Sequence, residues 1–143
     1  MARGIPHDVL RHFAQVPLFS AVSKNGLRAV ASAATEIDVP AGKELVRQGE
    51  HDRYLYVITR GTAVVTRNGR KLRELVPGDF FGELAFLSGA PRSATVAAYS
   101  DLRVMVLGPR ELDVIVAREP AVARALLKAM AERVQQNDRS PTA

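Results

Sequence analysis

Hydrophobic positions along the 143-residue chain change period twice. Residues 5–34 carry apolar side chains at helical spacing. Pro6 and the run His7-Asp8-Val9-Leu10-Arg11-His12-Phe13 predict a short helix that closes before Pro17. Ser23 is the N-cap of a second helix, with Leu27, Val30, Ala31 and Ala34 along one side. From residue 35 to 107 the pattern shortens. Tyr54–Thr59 and Thr62–Thr66 are β-branched and aromatic runs around Gly61, and Asn68-Gly69 sits between two such runs as a hairpin turn. Ala94–Tyr99 and Leu102–Leu107 follow, joined by Ser100-Asp101. Glycines at 42, 49, 61, 69, 78, 82 and 89 punctuate this zone. Many short strands separated in this way predict a β-sandwich or barrel of the jelly-roll type.

From residue 109 to 137 the pattern is helical again. Pro109 opens a helix through Val116, and Pro120 opens a longer one. In the longer helix Ala123, Leu127, Met130 and Val134 form an apolar stripe with Leu126 alongside, while Arg124, Lys128, Glu132 and Gln135 point elsewhere. That stripe is read as core, as a mobile lid or as a dimer seam. No repeat or low-complexity linker interrupts the chain, so residues 1–143 read as one domain.

Composition narrows the classes. Hydrophobic residues make up 47% and charged residues 24%, which excludes a disordered tail. There is no cysteine, hence no disulfide scaffold. No apolar run reaches a membrane-spanning length and the N-terminus has no secretory pattern, so a cytoplasmic location is expected. The formal charge of +5 admits an anionic ligand, a membrane surface or nucleic acid without choosing among them. Arg60, Arg67, Arg70, Lys71 and Arg73 gather around the Asn68-Gly69 hairpin, and a solvated hairpin is the favoured reading of them. Jelly-roll metal enzymes need clustered histidines on strands, whereas His7, His12 and His51 are scattered. No metal, no catalytic nucleophile and no enzymatic activity are expected.

The segment Phe80–Val96 carries the chemistry. A strand ends at Gly82, a short helical run (Glu83–Leu87) follows, and the turn Ser88-Gly89-Ala90-Pro91 leads to Arg92. Exposed N–H groups at the helix start suit an anion. The turn can fold the Arg92 guanidinium back over the same helix start, where its fork of donors suits two phosphate oxygens. A carboxylate beside a phosphate repels it, so Glu83 is assigned to a ribose hydroxyl.

These residues resemble the phosphate-binding cassette of the cyclic-nucleotide-binding domain family, found in the catabolite activator protein and in protein kinase A regulatory subunits. The matching runs are Phe81-Gly82-Glu83-Leu84-Ala85 and Pro91-Arg92-Ser93-Ala94-Thr95-Val96. Pro40–Glu50, Leu55–Gly61 and Pro77–Phe80 resemble the family's turns and strands, so the likeness covers roughly residues 12–135. The resemblance implies an eight-stranded double-stranded β-helix (jelly-roll) barrel, with helices before it and two after it. It implies that Glu83 accepts the ribose 2′-OH and that Arg92 pairs with the exocyclic phosphate oxygens. The backbone N–H groups of Leu84, Ala85 and Ser93 would point at the same oxygens, and Gly82 would let the sugar approach. Val65 and Leu72 would wall the base, and Leu127 and Met130 would cap it from the last helix. The Ser93 hydroxyl is open between a phosphate contact, a guanine contact and plain solvation.

The expectation is therefore a stand-alone sensor module for cyclic AMP, with cyclic GMP second, whose C-terminal helix shifts on binding. The alternative is a ligand-free adaptor that binds other proteins. An effector protein and a homodimer through the last helix are the expected partners. The family's transcription factors place a helix-turn-helix after the long helix. Only six residues follow Asn137, so sequence-specific DNA binding is not expected.

Overall fold

The computed structural model describes residues 7–139; within it the side chains of His7, Pro17, Glu83, Leu84, Ala129, Met130 and 132–139 lie outside the description. Pro6 and Val134, named above, therefore fall outside it in whole or in side chain.

The helix α1 (His7–Ala14) is followed by a 3-10 turn, Pro17–Phe19, and α2 (Lys24–Ala33). Ser23 caps α2 as its sequence position predicts. Its hydroxyl accepts from the N–H of Gly26 at 3.1 Å, satisfying one donor of the first turn. The barrel comprises β1 (Thr35–Val39), β2 (Glu44–Val46), β3 (Leu55–Arg60), β4 (Ala63–Arg67), β5 (Arg70–Leu75), β6 (Phe80–Phe81), β7 (Thr95–Ala98) and β8 (Leu102–Leu107). Between β6 and β7 lies α3 (Glu83–Ser88), and α4 (Pro109–Arg118) and α5 (Pro120–Arg139) follow the barrel.

The eight strands form two antiparallel four-stranded sheets, ordered β1-β8-β3-β6 and β2-β7-β4-β5. This is the jelly-roll architecture expected from the strand pattern. The Asn68-Gly69 hairpin joins β4 to β5 through a two-residue turn, with Arg67 opposite Arg70. Both turn residues are left-handed, φ 53° and 79°, which explains the Asn-Gly pair.

Two apolar clusters hold the molecule together. One lies between the sheets and contains Ile58, Ala63, Val65, Leu75, Phe81, Val96 and Val104. The other joins the helices to the outer face of the first sheet, through Phe13, Phe19, Val30, Leu55, Val57, Phe86 and Leu126.

The structure corrects the reading of α4 and α5. Helix α4 runs two residues past Val116, to Arg118. Among the described side chains of α5, Val122, Ala125 and Leu126 are buried, while Leu127 is 64% exposed and Ala123 only half-buried. Two overlapping apolar stripes exist on this helix, and periodicity does not choose between them. The 3-10 turn chooses, because its buried Leu18 and Phe19 belong to the same apolar cluster as Val122 and Leu126. Val122 also approaches α2 at Gly26, where an added Cβ would lie 3.2 Å from its Cγ2.

Candidate functional site

The site is built on the β6–α3 junction. Strand β6 pairs with β3, with Phe81 opposite Tyr56, and their rings stack at 4.8 Å with only 8° between planes. The chain then turns at Gly82, the N-cap of α3, with φ 90°. Only glycine suits this position sterically as well. A Cβ there would collide with Nη1 of Arg92 and lie 2.7 Å from the carbonyl oxygen of Tyr54. Helix α3 closes on a second left-handed glycine, Gly89, whose N–H donates to the carbonyl of Ala85 at 2.8 Å.

Arg92 returns over this helix start, as the turn at 88–91 predicts. Among the described residues it is the one buried charged side chain, at 5% exposure. Its backbone is pinned to the β2–β3 loop: the N–H of Arg92 donates to the carbonyl of Glu50 at 2.9 Å, and the N–H of Gly49 donates to the carbonyl of Arg92 at 2.8 Å. Its side chain makes a fork with Asp52. Nε donates to one carboxylate oxygen at 3.0 Å and Nη2 to the other. Nη2 also donates to the carbonyl of Tyr54 at 2.7 Å. The guanidinium carbon sits 5.8 Å from the Tyr56 ring centre. Nη1 is buried and has no hydrogen-bond partner among the described residues. An unsatisfied buried donor costs about 1–3 kcal/mol, so the fork is held with one arm poised for an acceptor.

Asp52 is the residue that sequence reasoning missed. It lies 40 positions before Arg92 and carries no motif, so only the folded chain brings the two together. Its neighbours grip the rest of the cassette. Arg53 Nη2 reaches the carbonyls of Phe86 and Leu87 at the C-terminal end of α3, both at 3.4 Å. Burial, and then the Asp52 charge, push the Tyr56 phenol above its ordinary value of 10.0, with Arg92 opposing. Tyr56 therefore stays neutral beside the ion pair.

A cavity of about 580 Å³ opens in front of Arg92. Val65, Leu72, Gly82, Ala85, Arg92 and Ser93 all line it, so six of the residues singled out from the sequence share one hollow. Val65 is a buried wall; Leu72 is 50% exposed and stands at the mouth. Ser93 is exposed, and its carbonyl accepts from Arg67 Nε at 3.0 Å. Arg67 and Arg73 complete the lining on the hairpin side, a contribution the solvated-hairpin reading did not anticipate. Glu83 and Leu84 occupy the first turn of α3, with side chains outside the description. Leu127, expected as a base cap, does not line the cavity, and the Met130 side chain lies outside the described residues. Among the described residues no three His, Asp or Glu side chains cluster as a metal site, and no helix is long and apolar enough to cross a membrane.

Comparison with known proteins agrees with this geometry. The model of the cyclic nucleotide-binding domain family matches residues 36–119. A cyclic nucleotide-gated potassium channel of Mesorhizobium japonicum is 36% identical over 121 residues, covering 84% of this chain and 33% of the channel. A cAMP-dependent protein kinase regulatory subunit of Yarrowia lipolytica is 35% identical over 96 residues, 66% of this chain and 26% of that protein. The crystal structure of the Thermus thermophilus catabolite activator protein superposes with a TM-score of 0.70 at 29% identity, covering 85% of this chain and 60% of that one. The chain spans about a third of the length of the channel relatives it matches. With the family model spanning more than half of the chain, and the barrel and cassette both in place, this protein belongs to the cyclic nucleotide-binding domain family.

Proposed function

We propose that the protein is a regulatory sensor that binds a 3′,5′-cyclic purine nucleotide, cyclic AMP or cyclic GMP, in the cavity before Arg92. The observation that carries this reading is the Arg92 guanidinium, buried, fixed by Asp52 and Tyr54, with Nη1 against Gly82 and unpaired among the described residues. A cyclic phosphate supplies the missing acceptor and a charge-assisted bond. Glu83, in the first turn of α3, takes the ribose 2′-OH, and the N–H groups of Leu84, Ala85 and Ser93 add donors to the phosphate. Val65 and Leu72 wall the base. The related channel and kinase subunit carry cyclic nucleotides in their names, which supports the ligand class.

The output is a shift of α5. Leu127 stands exposed on this helix and gains burial if α5 closes over the bound base. Contacts made only in the closed state move the population toward it. The recipient of that movement is an effector protein or a second copy of the chain.

Calorimetric titration with cyclic AMP, cyclic GMP and linear AMP tests the reading. Binding of a cyclic nucleotide but not of linear AMP is expected. Arg92→Ala removes a charge-assisted contact and should weaken binding by roughly tenfold to a hundredfold. No binding by folded protein, or unchanged affinity in Arg92→Ala, defeats the proposal. The chain has no native cysteine, so Leu127→Cys gives a unique label. A label environment unmoved by saturating ligand would refute the α5 shift alone.

A further inference from the structure

A glutamine outside the cavity ties two parts of its lining together. The β4–β5 hairpin carries Val65, Arg67 and Leu72 of that lining, and the segment leading into β7 carries Arg92. The pairing of β4 with β7 ends at Thr66 opposite Thr95, so the hairpin tip, residues 67–70, runs on beyond the sheet as a two-stranded ribbon. Such a ribbon is marginally stable unless something holds it. Gln48, in the loop after β2, holds it. Its Oε1 accepts from the N–H of Asn68 at 2.9 Å, and its Nε2 donates to Oδ1 of Asn68 at 2.9 Å. Its own N–H donates to Oγ1 of Thr95, also at 2.9 Å.

The next residues of the same loop hold Arg92. Gly49 and Glu50 exchange backbone hydrogen bonds with it at 2.8 and 2.9 Å, and Asp52 grips its guanidinium. One short segment, residues 48–52, is therefore fastened to the hairpin tip at one end and to Arg92 at the other. Arg67 supplies a further tie, from Nε to the Ser93 carbonyl at 3.0 Å, through a side chain that itself lines the cavity. Gln48 and Asn68 do not line it. Their effect on a ligand is indirect: a wall held in place beforehand needs no ordering when the ligand binds, and that lowers the cost of binding.

Resting on the cyclic-nucleotide reading above, we propose that Gln48 is a positioning residue for ligand binding, which through Asn68 fixes the β4–β5 hairpin in register with Arg92. The experiment titrates the wild-type chain and its variants with cyclic AMP and cyclic GMP, and follows thermal melting and hydrogen exchange of residues 67–70 without ligand. Gln48→Met keeps the length of the side chain and removes both bonds to Asn68. It should weaken binding by roughly threefold to tenfold, speed exchange at the hairpin tip, and move the melting temperature by less than about 4 °C, as exposed bonds do. Gln48→Glu should restore affinity, because a carboxylate accepts from the Asn68 N–H and, once the Asn68 amide turns over, from its Nδ2. Asn68→Gly keeps the left-handed turn and removes only the side-chain bond, so the double variant Gln48→Met/Asn68→Gly should bind no worse than Gln48→Met. Unchanged affinity or unchanged exchange in Gln48→Met, a loss of affinity that only follows a large drop in melting temperature, no restoration by Gln48→Glu, or additive losses in the double variant would each overturn the assignment while the sensor reading stands. If folded wild-type protein binds neither cyclic nucleotide, the sensor reading falls and this one with it.

Discussion

Gly82 and Arg92 are one unit. The φ of 90° at Gly82 is in the left-handed region, and the space a side chain would need holds the Arg92 guanidinium and the Tyr54 carbonyl. Gly82→Ala must therefore strain the backbone by about 1–2 kcal/mol and displace the guanidinium as well. Reduced thermal stability together with loss of cyclic-nucleotide affinity comparable to that of Arg92→Ala is the expected result. A variant that melts lower yet binds normally would show that Arg92 does not need this close approach. The two residues were legible in the sequence because both sit in one contiguous motif. Asp52 was not, since nothing local distinguishes it from the other acidic residues of the chain. Its role exists only because the β2–β3 loop lies across the end of the cassette. Arg92 pairs with Asp52 through Nε and Nη2, and Nη1 has no partner among the described residues, so the proposed phosphate contact falls to Nη1.

At the scale of elements, capping and turn chemistry was read directly from residue types. Ser23 at the start of α2 and Asn68-Gly69 between β4 and β5 behave as their side chains and backbone preferences require. Ser23→Ala removes the hydroxyl that accepts from Gly26 and should cost about 1 kcal/mol by chemical denaturation. Neither Ser23 nor any residue of α2 lines the cavity, so ligand affinity should be unchanged; a loss of binding would mean that α2 is coupled to the site. The helix α5 was harder, because an amphipathic pattern specifies that one face is buried without saying which of two overlapping faces. The bulge in β5, where Leu72 is an extra residue opposite the Val65–Thr66 step of β4, was also invisible. Periodicity assigns alternate residues to opposite faces, and a one-residue insertion in pairing leaves no mark in composition.

The whole molecule consists of a two-sheet barrel with a helical layer docked on one sheet. The helical cluster runs continuously from Phe13 and Phe19 through Val30 to Leu126, and it reaches Phe86 on α3. The cassette helix is thus packed on its far side against the same core that holds α5. Leu126→Ala opens a cavity in that core and should cost about 2–4 kcal/mol in denaturant unfolding. Because Leu126 faces the 3-10 turn and Leu127 the solvent, Leu127→Ala should change stability by less than about 0.5 kcal/mol. Equal destabilisation by the two substitutions would show that the helix is rotated from the orientation described.

The order of elements, the hairpin turn, the helix cap and the contiguous motif at residues 80–96 follow from the amino-acid sequence alone, because each depends on neighbours a few residues apart. The partner of Arg92, the face of α5 that is buried and the bulged register of β5 against β4 depend on contacts between segments 40 or more residues apart or on the register of paired strands. Only the closed barrel with its docked helices brings those segments together, and so only the tertiary structure could decide them.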